Sequence, residues 1–142
     1  MNLRITSAAP AVTTSADTIL RGLGAALLLA VAEIHFLDVF SKFDENVAQG
    51  WMFASLIVGC LVATVALVHR SSLVVWVLAV VCGLAPVGGY IMSRRYGLTG
   101  ATDDIGNWTE PLGLASLSTE VSLVLIGVYA LFRQVSGQRQ QA

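Results

Sequence analysis

The stretch AEIHFLDVF sets Glu33, His35 and Asp38 into the end of a long apolar run, and Glu120 interrupts a second run, STEVSLVLIG. Two carboxylates brought together in a low-dielectric interior would hardly both ionise. One would keep a proton near neutral pH, which is the chemistry of a proton relay or a cation site. The plainer alternative is a protonated glutamate hydrogen-bonded to Ser116, Ser55 or a backbone carbonyl. Glu33 shares a helical face with Gly22, Ala25 and Ala26, and Glu120 shares one with Gly113, Ser116 and Gly127, so both are expected to point into a bundle. Tyr90 extends the corresponding face of a third run, after Ala79, Gly83 and Pro86. His35 and Asp38 share a face that lies roughly 140–200° around the helix from Glu33, and they read as an interfacial pair at the membrane edge.

His35 and Asp38 are also candidate metal ligands. His35, Asp38, Met52 and Met92 fall at one depth, and imidazole, carboxylate and thioether could together hold a divalent or cuprous ion. No H-x-x-x-H, C-x-x-C or E-x-x-H spacing supports such a site. A bound metal ion is therefore only an outside option, and no cofactor is expected. Cys60 and Cys82 sit mid-run, where a thiol acts as a small hydrophobe, and the lack of C-x-x-C disfavours thiol–disulfide chemistry.

A further polar cluster lies at 93–110, SRRYGLTGATDDIGNWTE, which mixes Arg94 and Arg95 with Asp103, Asp104 and Glu110 and is punctuated by Gly97, Gly100 and Gly106. It is too long for a plain turn and is expected to fold over the mouth of the bundle. Arg–Asp pairing would hold it down. As a working lid, its arginines would meet an anionic headgroup or its carboxylates a cation. Tyr96 and Trp108 suit the headgroup layer, as do Trp51 and Tyr90. Thr109 is expected to cap the following helix, with Pro111 in its first turn.

The elements that carry these residues follow from composition. Of 142 residues, 56% are hydrophobic and only 12% charged, with a mean hydropathy of +0.75. A soluble domain carries about a quarter charged residues. Four runs, about 19–40, 50–68, 73–92 and 111–132, reach the roughly 20 residues needed to span a bilayer. The expected fold is all-α: a polytopic membrane protein, an antiparallel four-helix transmembrane bundle over 18–133 with an outer loop as lid. Short connections at 41–49 and 69–72 make neighbours antiparallel, and Pro86 should kink or loosen the third helix. The tails, 1–17 and 134–142, read as aperiodic and flexible.

The formal net charge is −1. Arg4, Arg21, Arg70, Arg133 and Arg139 flank one side, and Lys42, Arg94 and Arg95 the other, so both tails are expected in the cytoplasm. Arg21 and the Ala30-Val31-Ala32 triplet also fit a signal peptide cleaved after Ala32, but the apolar pattern runs on through Phe40, which favours a full span.

The segments SRRYGLTG, DDIGNW and EPLG, followed by Glu120 and preceded by His35 in the first run, resemble a group of uncharacterised small four-helix membrane proteins of high-GC bacteria. That resemblance implies a bacterial inner membrane and brings no established activity. Ala32-Glu33 with Lys42-Phe43 and Glu45 is similar to the first helix of the small multidrug resistance exporters, which implies proton exchange at Glu33. The aromatic substrate motifs of that family are absent from the second and third runs.

The leading expectation is a non-enzymatic protein whose outward-facing acidic pocket binds or moves a proton, cation or small amphipathic ligand through Glu33 and Glu120. A second is an accessory subunit of a larger membrane complex, or a homo-oligomer. A third is a membrane enzyme acting on a lipophilic substrate through His35 and Asp38. The partner common to all is the lipid bilayer, and nothing points to nucleic acid.

Overall fold

The computed structural model describes residues 15–98 and 102–139, which form α1 (Ser15–Glu45), α2 (Val47–His69), α3 (Leu73–Tyr96) and α4 (Pro111–Arg139). Residues 1–14 and 140–142 of the expected tails, and Gly100 of the loop, lie outside the described residues. All four helices are long and apolar enough to cross a bilayer. They pack antiparallel, α1 chiefly on α2 and α3 on α4, with α1 also against α4.

The helices outrun the expected spans. With 31 residues, α1 is about 46 Å long, against a hydrocarbon core of roughly 30 Å. Residues 15–17, expected in a flexible tail, and 41–45, expected in a loop, are helical, as is 134–139 at the other end. Charge pairs one turn apart support these projecting ends: Asp17–Arg21 and Asp38–Lys42, both 3.9 Å, and Lys42–Glu45 at 2.7 Å. Asn46 alone separates α1 from α2. Its Oδ1 accepts from the Ala48 and Gln49 amides at 2.9 and 3.4 Å, capping α2. The Phe43 ring fills the space a side chain at Gly50 would need, so glycine there permits the tight reversal. α3 remains helical across Pro86. It ends at Gly97, whose φ of 75° disfavours a residue with a side chain.

Small residues set the approach of α3 to α4. A Cβ at Gly83 would lie 2.9 Å from the Glu120 carbonyl oxygen, and one at Gly127 would lie 2.6 Å from Val80. The faces expected for these two helices are the buried ones, including Ala79, Gly83, Glu120 and Gly127. The expected face of α1 needs correction. Gly22, Ala26 and Glu33 are exposed, while Gly24, Ala25, Leu28, Val31, Ala32, His35 and Val39 are buried. The rotation is set at Gly24, where a Cβ would come within 2.8 Å of Leu67 and 2.9 Å of Trp76. On α2, Cys60, Ala63, Thr64 and Leu67 are buried, while Ser55, a possible partner for a buried glutamate, is exposed and donates to the Trp51 carbonyl at 2.7 Å.

Candidate functional site

At the Arg94 end side chains of all four helices line a cavity of about 390 Å³. Its walls are partly apolar, with Ile34 from α1, Phe53 and Leu56 from α2, Pro86 from α3 and Leu112 from α4. Its polar groups fall into two sets, one deep in the bundle and one at the connection between α3 and α4.

The deep set is His35 and Glu120, 6% and 2% exposed, both lining the cavity. His35 Nδ1 lies 2.9 Å from the Val31 carbonyl oxygen. That oxygen can only accept, so Nδ1 carries a proton. Nε2 then faces Glu120 Oε1 at 3.8 Å, a geometry that attracts only with one proton held between the two groups. Either an imidazolium stands beside a carboxylate, or a neutral imidazole stands beside a carboxylic acid. The Ser116 hydroxyl donates to the same Oε1 at 2.5 Å, and the Phe53 ring packs on the imidazole with centroids 4.9 Å apart.

The second set centres on Arg94, which is buried. Its guanidinium pairs with Asp104, lies 3.6 Å from Glu110, and stands 5.0 Å from the centre of the Tyr90 ring. Glu110 also caps α4, accepting from the Leu112 and Gly113 amides at 2.9 and 2.6 Å. That is the role expected of Thr109, and the longer side chain takes it because Glu110 directly precedes the helix. Tyr90 donates its hydroxyl to the Trp108 carbonyl at 2.9 Å, and the Gly106 amide donates to the Arg94 carbonyl at 2.9 Å. The connection is thus tied to the ends of both helices, with Asp104 and Glu110 lining the cavity.

The expected site residues are not all brought together. His35, Asp38, Tyr90, Arg94, Asp104, Glu110, Ser116 and Glu120 share the cavity. Glu33 does not: two residues from His35, it is rotated about 160° away, on the outward face of α1. The expected inward placement of Glu33 is therefore corrected, and the buried group facing Glu120 is His35. Arg95 and Asp103 are exposed and do not line the cavity; Arg95 stacks on Tyr96, 5.5 Å from its ring centre. Trp108 contributes its carbonyl and an edge contact on Tyr90. Met52 reaches the cavity but Met92, also exposed, does not. Among the described residues, no three His, Cys, Asp or Glu side chains cluster as metal ligands.

Residues the sequence reading overlooked are Gln49, Lys42, Ser93 and Phe53, all of which line the cavity. Gln49 had a legible signal, as a lone amide at the start of an apolar run. It is 6% exposed, and its Nε2 has no hydrogen-bond partner among the described residues. No family model, curated protein or solved structure matches this chain.

Proposed function

We propose that this integral membrane protein binds a small amphipathic ligand in the cavity at the Arg94 end, and that the His35–Glu120 pair takes up or releases a proton as the ligand enters. The observation that carries this reading is the pair itself. Two ionisable side chains, both buried, face one another across 3.8 Å at the floor of a cavity of ligand size. Ionisable groups at membrane depth tend to mark a pathway or a binding site. The greater number of arginines near the opposite end supports an outward-facing mouth.

Infrared difference titration of the carboxyl C=O band tests the reading, with Glu120→Gln and His35→Gln as assignments. A band that titrates between about pH 5 and 9, and is lost in Glu120→Gln, is expected of a water-accessible pair. A carboxyl band unchanged across that range would leave a sealed structural contact and end the proposal.

A second reading, an accessory subunit docked in a larger membrane complex, draws support from one residue. Glu33 is a carboxylate on the bundle's outward face, in a segment apolar enough to lie in the membrane. A neighbouring helix with a donor at that depth would relieve its cost. Glu33→Gln should then weaken recovery of the complex from mild detergent, whereas the cavity reading leaves recovery unchanged.

A further inference from the structure

We infer that the ligand of the Arg94-end cavity is an organic cation, one positive charge on a small apolar body, and that it exchanges there for the proton of the His35–Glu120 pair. This class rests on the ligand-binding reading above, and adds the sign of the charge and the direction in which the proton moves.

Charge selects the class. Three carboxylates, Asp38, Asp104 and Glu110, line the cavity against two cations, Lys42 and Arg94. Asp38 on α1 feels the charge of both Asp104 and Glu110, and Lys42 is shared between Asp38 and Glu45. The His35–Glu120 pair is neutral while it holds one proton. The lining therefore carries one net negative charge with that proton in place, and two once it is lost. Away from bulk water an uncompensated charge is costly, and an occupant of opposite sign relieves it. A neutral occupant leaves the imbalance, and an anion deepens it.

The walls then favour carbon around the charge. A bare metal ion needs several oxygen ligands at contact distance, and no three His, Cys, Asp or Glu side chains cluster so among the described residues. Ile34, Phe53, Leu56 and Leu112 instead offer hydrocarbon surface, and the Phe53 ring is a surface a methylated ammonium can meet.

Proton exchange follows from where Glu120 lies. It is 2% exposed, lines the cavity, and meets both the Ser116 hydroxyl and the His35 imidazole through Oε1. A cation at this floor competes with the shared proton for one carboxylate. The other ionisable groups of the lining are Asp38 and Lys42 from α1, Tyr90 and Arg94 from α3, and Asp104 and Glu110 from the connection. α2 contributes none, and the thiols of Cys60 and Cys82 do not line the cavity. Asp104 and Glu110 are engaged by Arg94, and Asp38 by Lys42, so the pair is the group whose charge is free to change. One cation enters, one proton leaves through the mouth to water, and the net charge of the cavity is the same occupied as empty.

The test compares three tritiated probes matched in size: hexyltrimethylammonium, its uncharged isostere with carbon in place of nitrogen, and octanoate. Each is equilibrated with the full-length protein in phosphatidylcholine nanodiscs and read against empty nanodiscs. The quaternary ammonium keeps its charge at every pH, so any pH dependence of its retention belongs to the protein. It should be retained about tenfold better than the other two, and several-fold better at about pH 8 than at about pH 6. Ile34→Trp, whose indole fills the cavity, should abolish retention, with helix content checked by circular dichroism. Glu120→Gln should lower retention about tenfold at the higher pH and remove most of its rise. Preferential retention of the isostere or of octanoate would overturn the class and leave a ligand cavity standing. Retention of the cation that ignores pH, or that rises unchanged in Glu120→Gln, would overturn the exchange. If no probe is retained above empty nanodiscs, or retention survives Ile34→Trp, the cavity binds none of them and the ligand-binding reading falls as well.

Discussion

The two ends of the bundle are built from the same four helices and differ in what fills them. At the Trp76 end the indole is buried among Gly24, Leu67 and Leu28, and its Nε1 donates to Ser71 Oγ at 3.0 Å. Gln134 reaches the same oxygen from α4 at 2.8 Å. Arg21 donates to the last carbonyls of α2, at Leu67 (2.8 Å) and Val68, satisfying groups that a helix end otherwise leaves open. A recess of about 150 Å³ lies there. At the Arg94 end His35, Arg94 and Glu120 are buried ionisable groups, Gln49 Nε2 and Arg94 Nε lack hydrogen-bond partners among the described residues, and the space is more than twice as large. One end is closed by a large ring and matched hydrogen bonds, and the other carries a cavity lined by charged side chains. This contrast teaches that membrane-embedded polarity alone does not mark a site. Thr64, buried in the bundle, simply returns its hydroxyl to the Cys60 carbonyl at 2.8 Å.

The sharpest way to break the contrast is to open the closed end. Trp76→Ala should cost about 3–5 kcal/mol of stability, read from denaturant unfolding in detergent, while the titrating carboxyl band at the far end changes little. Crowding the junction between the halves comes next. Gly83→Val places carbon against the Glu120 carbonyl and should cost about 1–3 kcal/mol, with loss of the titrating carboxyl band as α4 shifts. Removing the charge at the mouth is a smaller change. Arg94→Met leaves Asp104 and Glu110 without their cation, but both carboxylates are about one-third exposed, so solvent screening limits the loss to about 1–2 kcal/mol. Proteolysis within the α3–α4 connection should accelerate in that variant. The smallest effect belongs to Glu33→Leu. In the isolated protein it should leave stability within about 1 kcal/mol, or raise it, because the residue faces out of the bundle.

The four spans were legible because apolar runs of this length have few alternatives. Their ends were not, because Ser41–Glu45 reads as polar loop in composition while Lys42 pairs along the helix with Asp38 and Glu45 and keeps it wound. The inward faces of α3 and α4 were legible from glycines that do pack, at 83 and 127. The face of α1 was not. A helix apolar all round carries no amphipathic signal, and its small residues at 22 and 26 proved to face outward while those at 24 and 25 face in. Choosing between them required knowing where Trp76 and Leu67 stand, and that is tertiary information. The same uncertainty exchanged Glu33 for His35. Glu120 and Ser116 were legible as a pair because they share one helix, four residues apart.

The most direct test of an open Arg94 end and a closed bundle beneath it is thiol access. Cys60 and Cys82 are free and buried, so the native protein should resist a membrane-impermeant methanethiosulfonate reagent. Ser116→Cys, with its thiol on the cavity wall one turn from Glu120, should be modified rapidly when reagent is supplied on the Arg94 side and should be spared from the other. Protection of Ser116→Cys from both sides, or equal labelling of the native cysteines, would contradict a water-accessible site at that end.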